Sequence, residues 1–579
     1  MLLQKLKEYA DRSDTELPTM YKRGIIQWFI NLDRKGNLIG NGFVATSGGD
    51  KKGKEYIIPH CGAKTSGIKS NLLVDSAEYA LGVDRAKIDK KTAQRHEKFV
   101  SLIGECAKKT SNYKVIAVAK FLENLKLDTL QLPEDMKHNS IVSFLVEGEM
   151  PIDDKDIQDY WKEKNQVVSV EAENIGQVVC QICGKLCYPV SPHPQSIKGL
   201  KRIGESSMML ISANSKAFES YGLEKSLIAP TCHTCAEAYA AAANDLIKNP
   251  DTHIFVGPLI YLFWTKRDLT IPLVSLITAP TPDPEQAKKL IQSAQRGVFY
   301  DAMDDEAFYA TAWSASGARI AVRDWVITTV GNVRRNLAMW FGMQNLAQEY
   351  QDSPLYYGIW ALSASLYNKP DNQMVANVPK ALLHMSLQGG KLPSWILYQA
   401  VSRNKAERSV TRPRLVLIKM ALLSNWGIKE EGYLVELDKG NTNPAYLCGR
   451  LLAELEAIQR ASIKPKATIV DRFYGSASTA PASVFGNLMR GTQAHLAKLR
   501  KEKPGLAVIF QKRLEEIQSE LIGFPRVLTM EEQGLFALGY YHQRVYDRSK
   551  ADLKGQDTLK DFDEEVLKDN DNQEADRDE

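Results

Sequence analysis

The chain has 579 residues, 44% hydrophobic and 25% charged, which predicts several cores and excludes the disordered, collagenous and disulfide-dense classes. Its formal net charge of +4 is segregated: from Ala551 to Glu579 twelve Asp or Glu face four Lys or Arg, a net of −8, leaving +12 on residues 1–550. A basic body with an acidic tail suits a nucleic-acid binder whose tail competes for its own positive surface; a solvated extension explains the tail equally well.

In chain order, "MLLQKLKEYADRSD" reads as helical and charged, without an apolar run ending in a small-residue cleavage site, so secretion is not expected. "GIIQWFINLDRKGNLIGNGFVAT" carries two apolar runs, Ile25–Leu32 and Leu38–Thr46, around the turn former "DRKGN", which predicts a β-hairpin. A Gly/Lys-rich loop then returns into a short strand, and "AKTSGIKSN" leads into a turn or helix. Lys87 to Leu125 has helical periodicity through Phe99, Leu102 and Ile103, and strands return at Ile141–Val146. Further strands are expected in "HIFVGPLIYLFW" and "FYATAWSASGARIAVRDWVITTV". The first of these is the most apolar stretch of the chain, yet a dozen residues with Gly257 and Pro258 fall short of the roughly 20 that span a bilayer, so it reads as core.

Beyond Gly331 short helical segments are set off by Pro and Gly, and from about Asn443 three or four amphipathic helices suit a small bundle. The expected fold class is α+β. A mixed α/β portion spans 1–340 and includes a cysteine-rich insertion at about 178–245; a helical linker region spans 341–442, a helical bundle 443–550, and an acidic tail 551–579. No repeat of fixed period is present.

The most specific chemical signal is Cys180-x-x-Cys183 with Cys232-x-x-Cys235. Two residues between thiols let both sulfurs reach one tetrahedral zinc at about 2.3 Å, and four thiolates leave no open position for catalysis. Gly184 supplies a knuckle's turn, and "AEAYAAAANDL" after the second pair is a helix former, so a treble-clef-like structural zinc site is expected. The 48 residues between the pairs exceed the usual spacing; two separate buried pairs and a redox pair are the alternatives. Cys187, His193 and His233 are nearby substitutes. Eight cysteines in so long a chain fit a reducing, cytoplasmic compartment.

Basic residues interleaved with small and polar ones form a second signal. Lys64, Thr65, Ser66, Lys69 and Asn71 share one loop, where backbone N–H groups and lysines can meet phosphates and Asn can read a base edge. Lys198, Lys201 and Arg202; Arg323, Arg334 and Arg335; and Lys498, Arg500 and Lys501 extend the pattern, each group also readable as an ordinary solvated surface. Such binding is steeply salt-dependent. "GDKKGKE" mimics a phosphate loop, but Glu55 stands where Ser or Thr must hold Mg²⁺. His60 and Cys61, adjacent in a strand, cannot activate each other. No zincin, nucleophile-elbow or dinucleotide motif is present, so no catalytic residue is assigned. The competing reading is a metal-dependent nuclease whose carboxylates meet only in the fold.

"MLLQKLKEYADR", "TSGIKSNLLVDSAEYALG", "ISANSKAFESYG", "GARIAVRDW", "NPAYLCGRLLAELEAIQ", "DRFYGSASTAPASVFGNLM" and "GLFALGYYHQR" resemble, in order and to about Arg544, the Csd-type large subunit of the type I-C CRISPR interference complex, Cascade. The resemblance implies a non-catalytic prokaryotic cytoplasmic subunit that recognises the protospacer-adjacent motif (PAM) in double-stranded target DNA. It further implies help in opening the duplex and stabilising the R-loop, and recruitment of the helicase-nuclease, with the remaining sequence read by guide pairing. The implied partners are the backbone and crRNA 5′-handle-binding subunits and a small subunit, which the C-terminal bundle resembles; no membrane is involved. The resemblance also implies that the N-terminal portion, with Lys64 to Asn71, faces the DNA motif.

Overall fold

A computed structural model of the chain describes residues 1–12, 20–47, 53–61, 68–83, 90–127, 130–165, 176–213, 215–267, 276, 279, 281–295, 304–317, 319–348, 355–427 and 434–553. Lys64, Thr65 and Ser66, and the acidic tail from residue 554, lie outside these. The chain divides into two compact units, Met1–Gly199 with Ser206–Asp245 and Ala318–Ile320, and Leu200–Glu205 with Leu246–Gly317 and Ala321–Glu579.

The first unit begins with the helix Leu2–Arg12, followed by strands β1 (Tyr21–Ile26), β2 (Trp28–Leu32), β3 (Leu38–Ala45), β4 (Lys54–Pro59), β5 (Asp75–Ser76) and β6 (Ile141–Val146). A four-stranded sheet has the order β3-β2-β6-β5, with β2 and β6 parallel, while β1 and β4 pair separately as an antiparallel ribbon. The predicted hairpin is present as β2 and β3, antiparallel across the Asp33–Asn37 turn, but its first arm begins at Trp28, and Ile25 and Ile26 belong to β1 instead. The apolar run breaks at Gln27, whose backbone N–H donates to the Ile141 carbonyl at 2.9 Å and whose side-chain Oε1 accepts from the Ile141 N–H at 2.8 Å. Glutamine satisfies both backbone groups of the neighbouring chain, so the run changes sheets with no buried polar atom stranded there. Helices Lys90–Thr110, Tyr113–Glu123 and Lys155–Asn165 bury Phe99, Ile103, Val118 and Trp161 in one apolar cluster with Phe29, Ile30 and Phe144 of the strands. Asn112 caps the second of these helices through the N–H groups of Lys114 and Val115.

The cysteine-rich stretch of this unit consists of the hairpin β7 (Val178–Val179) and β8 (Leu186–Cys187), the hairpin β9 (Ile197–Lys198) and β10 (Ser207–Met208), and the helix His233–Lys248.

In the second unit β11 (His253–Val256), β12 (Leu259–Thr265), β13 (Ala307–Ser316) and β14 (Arg319–Thr329) form a sheet in that order. Every residue of β12 is buried, which explains its unbroken apolar run. From Val330–Gln344 onward the unit is helical, and helices on both sides of residue 443 contribute to one apolar core, including Leu382, Leu417, Leu451 and Phe536. Helices Pro444–Ile463 and Met530–Leu553 approach backbone to backbone. A Cβ added at Gly449 would lie 2.1 Å from the Phe536 carbonyl oxygen, and one at Gly539 would lie 2.2 Å from that of Tyr446. Asn443 caps the first of this pair, with Pro444 in its first turn. Among the described residues no helix is long and apolar enough to cross a membrane.

Candidate metal centre and basic surface

The first cysteine pair sits where β7 turns into β8. Gly184 adopts φ +74°, the left-handed region that a side chain disfavours, and its N–H donates to the Cys180 carbonyl at 2.9 Å while the Cys180 N–H donates to Lys185 at 2.9 Å. These bonds fold the loop so that both sulfurs point the same way. The second pair brackets the start of the helix His233–Lys248: Cys232 immediately precedes it and Cys235 lies in its first turn. The Gln181 N–H donates to the Pro230 carbonyl at 2.9 Å, and the Cys232 N–H lies 3.4 Å from the Cys180 sulfur, joining the halves.

All four Sγ atoms lie within 4.8 Å of one another, with Cys183 and Cys232 at 3.9 Å. Tetrahedral coordination at 2.3 Å requires sulfur separations of about 3.8 Å, so the spacing fits a closed thiolate shell. Cys180 and Cys235 are buried and the other two half-buried. The acidity is divided unequally: a hydrogen bond from Cys235 brings the Cys232 thiol down to about 5, whereas Cys235 is pushed up by that same bond and by burial. Burial also raises Cys183. Four sulfurs this close cannot all ionise without a cation, and a divalent metal would relieve that repulsion.

Among the described residues these four cysteines are the group of His, Cys, Asp or Glu side chains placed to hold a metal ion. Of the substitutes, Cys187 stays outside the group with its thiol raised to about 11 by burial, and His193 points its Nδ1 to the Tyr239 hydroxyl at 2.6 Å. His233 turns instead to Glu237, at 3.3 Å from Oε2. The other carboxylate oxygen, Oε1, lies 2.9 Å from His60 Nε2. Burial would raise the Glu237 carboxyl, but hydrogen bonds from His233 and His60 outweigh it and bring it to about 2. Sequence reasoning missed this trio; the i,i+4 spacing of His233 and Glu237 was the available signal.

The basic residues divide between the units. In the first, Lys69 is exposed, whereas the Asn71 side-chain oxygen already accepts from the Cys61 N–H at 3.0 Å. Lys198 is exposed on β9, its backbone held by Asn244. In the second unit, exposed Lys201 precedes Arg202, whose guanidinium lies 5.0 Å from the Phe255 ring centroid. Arg323 donates to the Ser314 hydroxyl at 2.7 Å from an exposed position on β14. Arg334 differs from these: it is paired with Asp304 at 2.7 Å and both side chains are largely covered, so its charge is already balanced. Arg335 is exposed and bonded to Asn332. Lys498, Arg500 and Lys501 are exposed along the helix Phe485–Glu502, with Lys498 3.9 Å from Glu502.

Among the described residues four thiols gather into one cluster able to hold a metal ion, and exposed cations lie on both units. The CRISPR-associated protein family Cas_Csd1 matches residues 3–546, and the chain belongs to that family, the Csd-type large subunit of type I-C Cascade. No curated protein matches the chain.

Proposed function

We propose that the chain is the DNA-engaging subunit of its Cascade. It reads the protospacer-adjacent motif in the target duplex, helps to open the duplex and hold the displaced strand, and recruits the helicase-nuclease, leaving chemistry to that partner. The observation that carries this reading is the family match along residues 3–546. It is supported by the +12 charge of residues 1–550 and by the exposed cations described above. The backbone and crRNA 5′-handle-binding subunits and a small subunit are the expected neighbours. Cys180, Cys183, Cys232 and Cys235 hold a structural zinc, in a treble-clef-like arrangement of knuckle and helix start; the metal's contribution is to fix the fold of the insertion, because four thiolates leave it no open position.

Lys64 and Lys69 are assigned to the motif-facing loop, with Thr65 and Ser66 beside them. The test is binding of the assembled guide complex to duplexes with cognate and altered motifs. A Lys64→Ala/Lys69→Ala chain should lose affinity for the cognate duplex and have a shallower salt dependence, by about one unit of slope for each phosphate contact removed. Unchanged affinity, salt slope and motif preference would remove the loop from the reading.

A further inference from the structure

The four-thiol centre and the segment bearing Lys69 are tied together by a short chain of bonds within the first unit. Glu237 lies in the second turn of the helix that Cys232 and Cys235 begin. Its Oε2 is 3.3 Å from His233 Nδ1, beside the metal-site cysteines, and accepts from the Met20 N–H at 3.2 Å. Its Oε1 is 2.9 Å from His60 Nε2. Met20 and His60 are themselves joined, the His60 N–H donating to the Met20 carbonyl at 2.9 Å, and that carbonyl also accepts from Trp161 Nε1 at 3.1 Å. The next residue, Cys61, donates its N–H to Asn71 Oδ1 at 3.0 Å, and the Asn71 N–H donates to Asp75 Oδ2 at 2.9 Å. His60 is 5% exposed and Asp75 likewise 5%, so the two ends of this path are shielded from water, and losing a partner there would strand a buried polar group.

We infer that Glu237 is a positioning residue: its carboxylate bridges the cysteine centre to the end of β4, so that metal occupancy fixes where Cys61, Asn71 and hence Lys69 stand. Both carboxylate oxygens are engaged because groups from three segments converge on them: the Met20 N–H and His233 at Oε2, and His60 at Oε1. A salt bridge of purely local value would involve only His233, four residues away on the same helix; the buried contacts to Met20 and His60 serve no purpose within the insertion itself. Metal loading therefore sets the presentation of Lys69 and Asn71, which none of the four metal-site cysteines touches. The functional consequence rests on the motif-reading proposal above, but the structural link does not.

The experiment uses the full zinc-loaded chain and hydrogen–deuterium exchange of peptides covering residues 60–75. Glu237→Ala should keep about one zinc per chain, since all four thiols remain, while exchange at 60–75 rises by about tenfold or more. Glu237→Gln, which keeps an acceptor and the side-chain shape, should fall close to the unmodified chain. Stripping zinc from the unmodified chain with a chelator should reproduce the exchange increase, and that arm stands if Glu237→Ala fails to fold. Exchange at 60–75 unaltered by chelation, or by Glu237→Ala if it folds, would overturn the inference. Assembled complexes separate the two claims: increased exchange with undiminished motif discrimination in both Glu237→Ala and Lys69→Ala would uphold the bridge and reject motif reading by this segment.

Discussion

Cys232 stands between the knuckle and a helix start, and a hydrogen bond from Cys235 brings its thiol down to about 5. Replacing it as Cys232→Ser should drop zinc from about one per chain to near zero by elemental analysis, because a three-thiol remnant loses the closed shell; zinc absent from the unmodified chain would mean the sulfurs are packing residues, and zinc retained in the variant would remove Cys232 from the ligand set. The four cysteines were legible because metal spacing is local in sequence on each side of the gap. The partnership of Glu237 with His60 was not, since residues 177 positions apart meet only after the sheet and the insertion have both formed. Burial, again a property of the fold, also decides His542. Its imidazole is nine-tenths or more enclosed and held down to about 3, by burial first and then by Lys419. An unfolded imidazole takes up its proton near 6.5. Between those values the unfolded chain binds the extra proton, so the stability this group contributes is complete above pH 6.5 and is lost as pH falls toward 3, by up to about 1.4 kcal/mol per pH unit. Denaturant midpoints at pH 7, 5.5 and 4 should fall less steeply for His542→Gln than for the unmodified chain; identical slopes would show that the ring is already solvated.

Helices Pro444–Ile463 and Met530–Leu553 meet at two glycines, and this contact centres the C-terminal core. A methyl group at Gly449 would fall 2.1 Å from the Phe536 carbonyl oxygen and 2.8 Å from the Tyr540 nitrogen, both backbone atoms that cannot step aside singly. Gly449→Ala should therefore destabilise the protein by roughly 1–3 kcal/mol or more, despite alanine's better helix propensity, as read by thermal or denaturant unfolding; a neutral or stabilising result would contradict the close approach. The helices were legible from their 3.6-residue pattern, but their close crossing was not. Other features are set by neighbours. Arg450, buried on the same helix, donates to Gln543 Oε1 at 2.9 Å and Glu516 at 2.8 Å, partners that no periodicity reveals. The break of the first apolar run at Gln27 escaped for the same reason: periodicity records that residues alternate, not which sheet each one joins.

For the whole molecule, composition foresaw a basic multi-core protein, and the ordered resemblance across the chain agrees with the family match over residues 3–546. Sequence alone could not assign Arg334 to Asp304 or Asn71 to Cys61, contacts that take two of the candidate DNA-facing groups into the fold itself. The remaining exposed cations are distributed over two compact units; under the proposed function, affinity comes from many phosphate contacts of small individual value rather than from one pocket. The most direct test is the binding of a cognate target duplex by the guide complex assembled with and without this chain, at fixed salt. We predict that omission abolishes motif-dependent binding while guide RNA remains bound by the other subunits. Equal affinity and equal motif preference in the two assemblies would contradict the DNA-engaging role.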